Sequence, residues 1–315
     1  MTSLTAEALR VEQRGMSSRE RRHALYGYAF LSPWLIGFFA FTALPILISM
    51  VLSFTRYSVL RPPEFIGLKN WRIALLGGDD LMWPSIGRSF YYALLAVPTG
   101  LVSSLILAML LNQNLRLTAM WRTFYFLPTL TPSVATAYVW KWMLNPEIGV
   151  FRMLFDFVGI PMPRWLGSME WAIPSLAMIS LWASAGGSSG IIFLAGLQDI
   201  PTELMEAAEI DGAGRWHKFW NVTVPLMTPV IFFNLVMGII GALRVFGLAF
   251  IATAGGPSNA TWFISLHIYR TAFTYFDMGY AAAMSWILAA IIITLTMLQF
   301  RLSERWVFYQ GEVRR

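Results

Sequence analysis

Charge punctuates this chain between long apolar runs. No Asp, Glu, Lys or Arg occurs from Ala24 to Thr55, and none lies between Arg88 and Arg116. A membrane-crossing helix needs about 20 mostly apolar residues. Six segments meet that length, at 27–54, 89–112, 121–143, 172–198, 225–249 and 280–301. The third has Arg122 and Lys141 at its ends, where aliphatic stems reach out of the hydrocarbon. The fourth is interrupted by the small-residue run ASAGGSSG. Prolines in or near these runs are tolerated because neighbouring helices take up the freed carbonyls.

Composition agrees with the pattern. The 315 residues are 57% hydrophobic and 13% charged, about half the charge of a soluble domain. With no cysteine, a disulfide scaffold and a thiolate metal site are both excluded, and His23, His217 and His267 lie too far apart to suggest ligand spacing. The net charge of +6 belongs to orientation rather than to nucleic acid. Arg10, Arg14, Arg19, Arg21 and Arg22 cluster before the first run, which places the N-terminus inside by the positive-inside rule. With six crossings the C-terminus is inside as well. The expected architecture is an all-α integral membrane protein, N-in and C-in. It has a cytoplasmic arm at 1–26, a six-helix transmembrane domain at 27–301 and a cytoplasmic tail at 302–315.

In this topology residues 199–224 face the cytoplasm. They carry Asp199, Glu203, Glu206, Glu209 and Asp211, each of which would cost about 2.5–3.5 kcal/mol at the bilayer centre. Pro201 suits a first helical turn and TELMEAAE is strong helix former. Asp211-Gly212 reads as a stop, with glycine free to turn left-handed. A second short amphipathic helix, RWHKFW, then leads to Pro225. Ala207 and Ala208 beside Glu206 offer a small, flat surface next to an anionic group.

Glu206-Ala207-Ala208, two residues, Asp211-Gly212-Ala213, then Val222-x-Val224-Pro225 resembles the EAA loop of binding-protein-dependent ABC importer permeases, with valines where the family prefers Ile and Leu. The resemblance extends to LSPWLIGFF, FIGLKNW, RTFYFLPTLTPSVATAYVWKW, FLAGLQDIPTELMEAAEIDGA and ATAGGPSNAT. These are similar to the carbohydrate-uptake branch, in its MalF-like and UgpA-like subunits, and cover about 25–301. The resemblance implies a MetI-like permease fold without catalytic residues. It also implies a second homologous permease, two cytoplasmic ATPases that bind ATP and Mg, and an extracytoplasmic solute-binding protein. Glu206, Ala207, Ala208, Asp211, Gly212 and Ala213 would then couple the permease to an ATPase. In the fourth span relatives usually carry a Trp and, a few residues later, a Pro-aromatic pair. Here WASAGGSSGIIFLAGL keeps the Trp and puts small residues in place of the pair, and Gly247 stands where relatives often have Asp.

A polar path is expected between two such bundles. Ser184, Gly186 and Ser188 lie midway along the fourth run, where transporter sites form at broken helices; close helix packing by small residues is the other role open to them. Gly238, Gly241, Ala242 and Val245 share a helical face, which by resemblance lines a sugar cavity. Arg244 borders it as an intramembrane cation, open to substrate contact, snorkelling or gating, and Asn234 suits an interhelical hydrogen bond. The outer loops 55–88, 144–170 and 250–279 would meet the binding protein, with Arg61 and Asp79-Asp80 as candidate contacts. No Walker A loop, HExxH or GxSxG occurs. A stand-alone secondary transporter is the alternative class, and it would need intramembrane carboxylates for ion coupling.

Overall fold

The computed structural model describes residues 18–113, 117–185 and 187–308. Gly186, Arg10, Arg14, Arg116, Arg314 and Arg315 lie outside these residues, as do 1–17 of the expected arm and 309–315 of the tail. In chain order the elements are α1 (Ser18–Phe38), a π turn (Phe39–Ala43), α2 (Leu44–Leu52), β1 (Thr55–Ser58), β2 (Arg61–Phe65), α3 (Lys69–Leu75) and α4 (Met82–Leu111). Then come α5 (Thr118–Leu130), α6 (Ser133–Met143), α7 (Val150–Val158), α8 (Met169–Ala185), α9 (Ser188–Gln198) and α10 (Thr202–Ile210). The chain continues with α11 (Arg215–Lys218), a second π turn (Phe219–Thr223), α12 (Val224–Leu243), α13 (Gly247–Ala252), α14 (Ile264–Phe273) and α15 (Met278–Ser303).

Among the described residues four helices are long and apolar enough to cross a membrane: Arg21–Leu52, Met82–Leu111, Arg215–Leu243 and Met278–Ser303. α8 and α9, bent by 48°, make a fifth if the pair is one span. The expected helix at 121–143 is instead two. Thr131 is extended (ψ 125°) and Pro132 follows at φ −54°, ψ 136°, because a proline ring excludes the helical conformation from the residue before it. The helix of the first span begins at Ser18, so residues expected in the arm already belong to it. The all-α expectation gains one exception, the antiparallel β1–β2 hairpin that pairs Thr55 with Phe65.

α4 is the hub, packed against α8, α9, α12 and α14. One core layer gathers Tyr92, Val97, Leu176, Ile179, Leu243 and Phe263. A second joins Met82, Ile86, Ile264, Met284 and Ile287. At the other end Ala108, Phe193, Leu197 and Met227 form a third. Several buried hydroxyls are satisfied within their own helices, as Ser85 is by the Met82 carbonyl at 2.7 Å and Thr228 by Pro225 at 2.7 Å. Asn234 does the same, donating to Val230 at 2.9 Å rather than reaching another helix.

The end of the first span is held by side chains. The buried amide of Asn70 donates to the Ser53 and Thr55 carbonyls at 3.0 and 2.9 Å, and Trp71 Nε1 donates to Ser53 Oγ at 3.2 Å, so carbonyls that a helix end leaves open are capped from α3. On the other side Gly279 brings α15 against this turn. A Cβ there would lie 2.1 Å from the Thr55 carbonyl oxygen. Gly279→Ala is therefore expected to destabilise the chain by about 1–3 kcal/mol, read as a lower melting temperature in detergent; an unchanged midpoint would show that the turn can move away.

Candidate coupling surface and translocation path

α10 ends in a Schellman turn. Ala213 N–H bonds to the Ala208 carbonyl at 2.9 Å and Gly212 N–H to Glu209 at 3.0 Å, with Gly212 at φ +79°. The DGA triplet is thus the geometry of a helix stop. Glu206 and Ala207 are exposed and Ala208 is half-buried, so the turn leaves Glu206 and Ala207 open. Asp211 and Ala213, with Gly212, line a shallow hollow of about 410 Å³ between α10 and α11.

The RWHKFW segment is not a separate surface helix. Residues 215–243 run as one helix of 29 residues through the π turn, about 43 Å long at 1.5 Å per residue. Glu209 and Lys218 pin the hairpin to the start of this rod, Lys218 Nζ donating to the Glu209 carboxylate. That hydrogen bond and the ammonium charge hold the Glu209 carboxyl below the ordinary glutamate range.

The residues expected along the path divide into two groups. Ser184 sits against α4: a Cβ on Gly100 would meet its Oγ at 3.2 Å, and Ser104 Oγ donates to its carbonyl at 3.3 Å. Gly238 faces Val97 of α4, Ala242 is buried, and Val245 packs on the layer around Tyr92. Those positions fill helix contacts. Ser188, Gly241 and Arg244 are exposed. Arg244 closes α12, its N–H bonding to Gly241 at 3.2 Å, and it continues an exposed stripe through Phe233, Met237 and Gly241. The break between α8 and α9 falls at Gly187, which is extended (ψ −164°) and so close to the Ala183 and Ser184 carbonyls that a Cβ would meet them at 3.0–3.1 Å.

Residues 86–308 match the family described as binding-protein-dependent transport system inner membrane component. The chain belongs to that family. Similar curated proteins include the probable ABC transporter permease protein YesP of Bacillus subtilis, 41% identical over 93% of this chain and 94% of that one. The trehalose/maltose transport system permease protein MalF of Thermococcus litoralis is 30% identical over 91% and 97%. The sn-glycerol-3-phosphate transport system permease protein UgpA of Yersinia enterocolitica is 36% identical over 78% and 83%. Among solved structures, a chain of a bacterial ABC transporter involved in the import of the acidic polysaccharide alginate superposes with a TM-score of 0.80 at 23% identity, covering 91% of this chain and 98% of that one. The fold is that of an ABC permease.

Three features of this permease were not read from its sequence. The Glu209–Lys218 pin has a faint signal, opposite charges nine residues apart across a glycine turn. Gly196 has none: a Cβ there would lie 2.8 Å from Val230, so α9 and α12 approach closely. Asp79 was expected at an outer contact, but it turns inward and accepts from His267 Nε2 and Tyr280 Oη, both at 2.8 Å. Burial alone would raise the Asp79 pKa. The hydrogen bonds from His267, the Leu81 N–H and Tyr280, with the His267 charge, hold it below the ordinary aspartate range.

Two predictions follow from the hairpin geometry. A side chain at Gly212 must enter the left-handed region at roughly 1–2 kcal/mol, so Gly212→Val should speed amide exchange in α10 by about tenfold; unaltered protection would mean that another turn replaces it. Because the Glu209 pKa is depressed, its pin is present above the ordinary glutamate value and is lost as pH falls through the lowered one. Carboxyl NMR should give Glu209 a midpoint below that of an exposed glutamate, and Lys218→Gln should restore it. Equal midpoints in both proteins would remove the pin from the account.

Proposed function

We propose that this chain is the membrane-spanning permease subunit of an ATP-driven importer of a sugar, oligosaccharide or sugar derivative. It crosses the bacterial inner membrane six times, N-in and C-in, with α5–α6 and α8–α9 each forming one broken span. It pairs with a second, homologous permease, to which the unpartnered apolar surface of α1 is available. Two cytoplasmic ATPases bind ATP and Mg, and an extracytoplasmic binding protein delivers the cargo. The observation that carries the reading is the exposed pair Glu206 and Ala207 of the Glu-Ala-Ala triplet, set one glycine turn from a continuous 29-residue rod.

Closure of the ATPase pair would press on α10 around Glu206. The Gly212 turn and the Glu209–Lys218 pin would pass that displacement to α11 and α12, and the rod would rock against α4 as a rigid body. The helix break at Gly187 and the end of α12 at Arg244 supply the points where the spans can bend. Gly241, Arg244 and Ser188 form the open side of the path, while Ser184, Gly238, Ala242 and Val245 keep the helices close. The name of one relative, a trehalose/maltose system, supports the carbohydrate class, and that of another, an sn-glycerol-3-phosphate system, a phosphate-bearing cargo. The exposed guanidinium of Arg244 favours a second reading in which the cargo carries a phosphate, such as a glycerol phosphodiester.

Glu206→Lys is expected to leave the assembly inserted while ATP hydrolysis no longer drives uptake, measured in proteoliposomes with the binding protein present. Wild-type uptake in that variant would sink the coupling role of Glu206. Uptake by the isolated chain without ATP would instead identify a secondary transporter.

A further inference from the structure

Next to the hairpin lies a groove of about 870 Å³ between α4 and the start of the rod. Its α4 wall is one helical face, with Val102, Ile106 and Leu110 exposed along it at i, i+4 and i+8. The facing wall carries Trp216 and Trp220, 77% and 61% exposed. Besides the indole N–H groups, the only polar side chains in its lining are Gln113, just past the end of α4, and Arg215, the first residue of the rod. Arg215 is exposed and makes no ion pair with a carboxylate among the described residues. Lys218, the nearest cation along the chain, is committed to Glu209.

We propose that this groove holds an anionic phospholipid of the inner leaflet, its acyl chain along α4 and its phosphate on Arg215. The polarity of the groove runs in the order of such a molecule: an apolar trough at the depth of the hydrocarbon, two tryptophans at headgroup level and an unpaired cation where the phosphate lies. A dry apolar hollow facing a bilayer fills with whatever apolar matter adjoins it. A span from another protein would satisfy the walls but would have to bring its own acid to Arg215, whereas an anionic lipid supplies tail and charge together. A guanidinium is also the side chain best matched to a phosphate. The lipid would touch both the hub helix and the first turn of the rod, so its charge would bias the resting position of the coupling hairpin. The choice of leaflet rests on the orientation proposed above; the existence of the site does not.

The test is native mass spectrometry of the assembled transporter, titrated with palmitoyl-oleoyl phosphatidylglycerol and, separately, with the phosphatidylcholine of the same chains. Phosphatidylglycerol is expected to be retained in preference. Arg215→Gln should weaken that retention about fivefold, the worth of one cation beside an anionic headgroup, and leave phosphatidylcholine unchanged. Ile106→Trp should fill the trough and weaken both. Equal retention of the two lipids, or retention unaltered by either substitution, would overturn the proposal. So would a quantitative disulfide between Ile106→Cys and a cysteine placed in the first span of the partner permease, since a protein would then occupy the groove; the natural chain has no cysteine to confuse that result. Retention is read without transport, so a normal lipid preference beside a fully active Glu206→Lys would remove the coupling reading and leave the lipid site standing.

Discussion

The contact between α4 and the rod that starts at Arg215 is the one on which the rest of the structure depends. α4 touches α8, α9, α12 and α14, so four elements take their positions from a single helix. Small residues make that closeness possible: Gly100 faces Ser184, and Gly238 faces Val97. Where lipid is as apolar as leucine, helices associate through close packing rather than through expulsion of water. The glycines and serines of this chain are therefore structural before they are anything else.

Around this fixed contact, the helices break at defined places. Backbone groups cannot be left open in hydrocarbon, so each break has its own local cause. Thr131 is extended because Pro132 follows it, and Gly187 turns where a side chain would strike two carbonyls. α12 stops at Arg244, beyond which the chain re-enters a short helix. The two ends of the molecule are secured differently. At one end Asp79 gathers His267 and Tyr280, while Asn70 caps the first span. At the other end Val307 is buried beside Phe232 and Val236, and Phe308 N–H donates to Thr228 Oγ1 at 2.9 Å. The described part of the expected tail, residues 302–308, thus fastens α15 to α12.

The hairpin joins a solvent-exposed helix to a helix that runs through the core without a joint. A flexible connector would dissipate a push applied to α10. Here the left-handed glycine fixes the direction of the chain, and the Glu209–Lys218 pair closes the angle from the other side. The continuity of residues 215–243 makes the start of the rod, beside the hairpin, and the helix packed on α4 one element.

Taken by itself, the amino-acid pattern placed the hairpin and the Gly212 stop. Of its six apolar runs, four return among the described residues as helices long enough to cross a membrane, with α8–α9 a fifth if the pair is one span. Each is a local property: run length, charge placement, or the conformational freedom of one glycine. Family membership was also legible, because the EAA loop has several fixed positions. Which small residues pack and which stay open depends on contacts far apart in the chain. Ser184 and Gly241 are both small, yet one faces α4 and the other is exposed, since that depends on the neighbour across the gap and not on the residue. The inward turn of Asp79 and the fusion of RWHKFW into the rod escaped for the same reason: partners 188 and 201 residues away hold Asp79, and a π turn carries the helix through a segment whose local pattern suggests a stop.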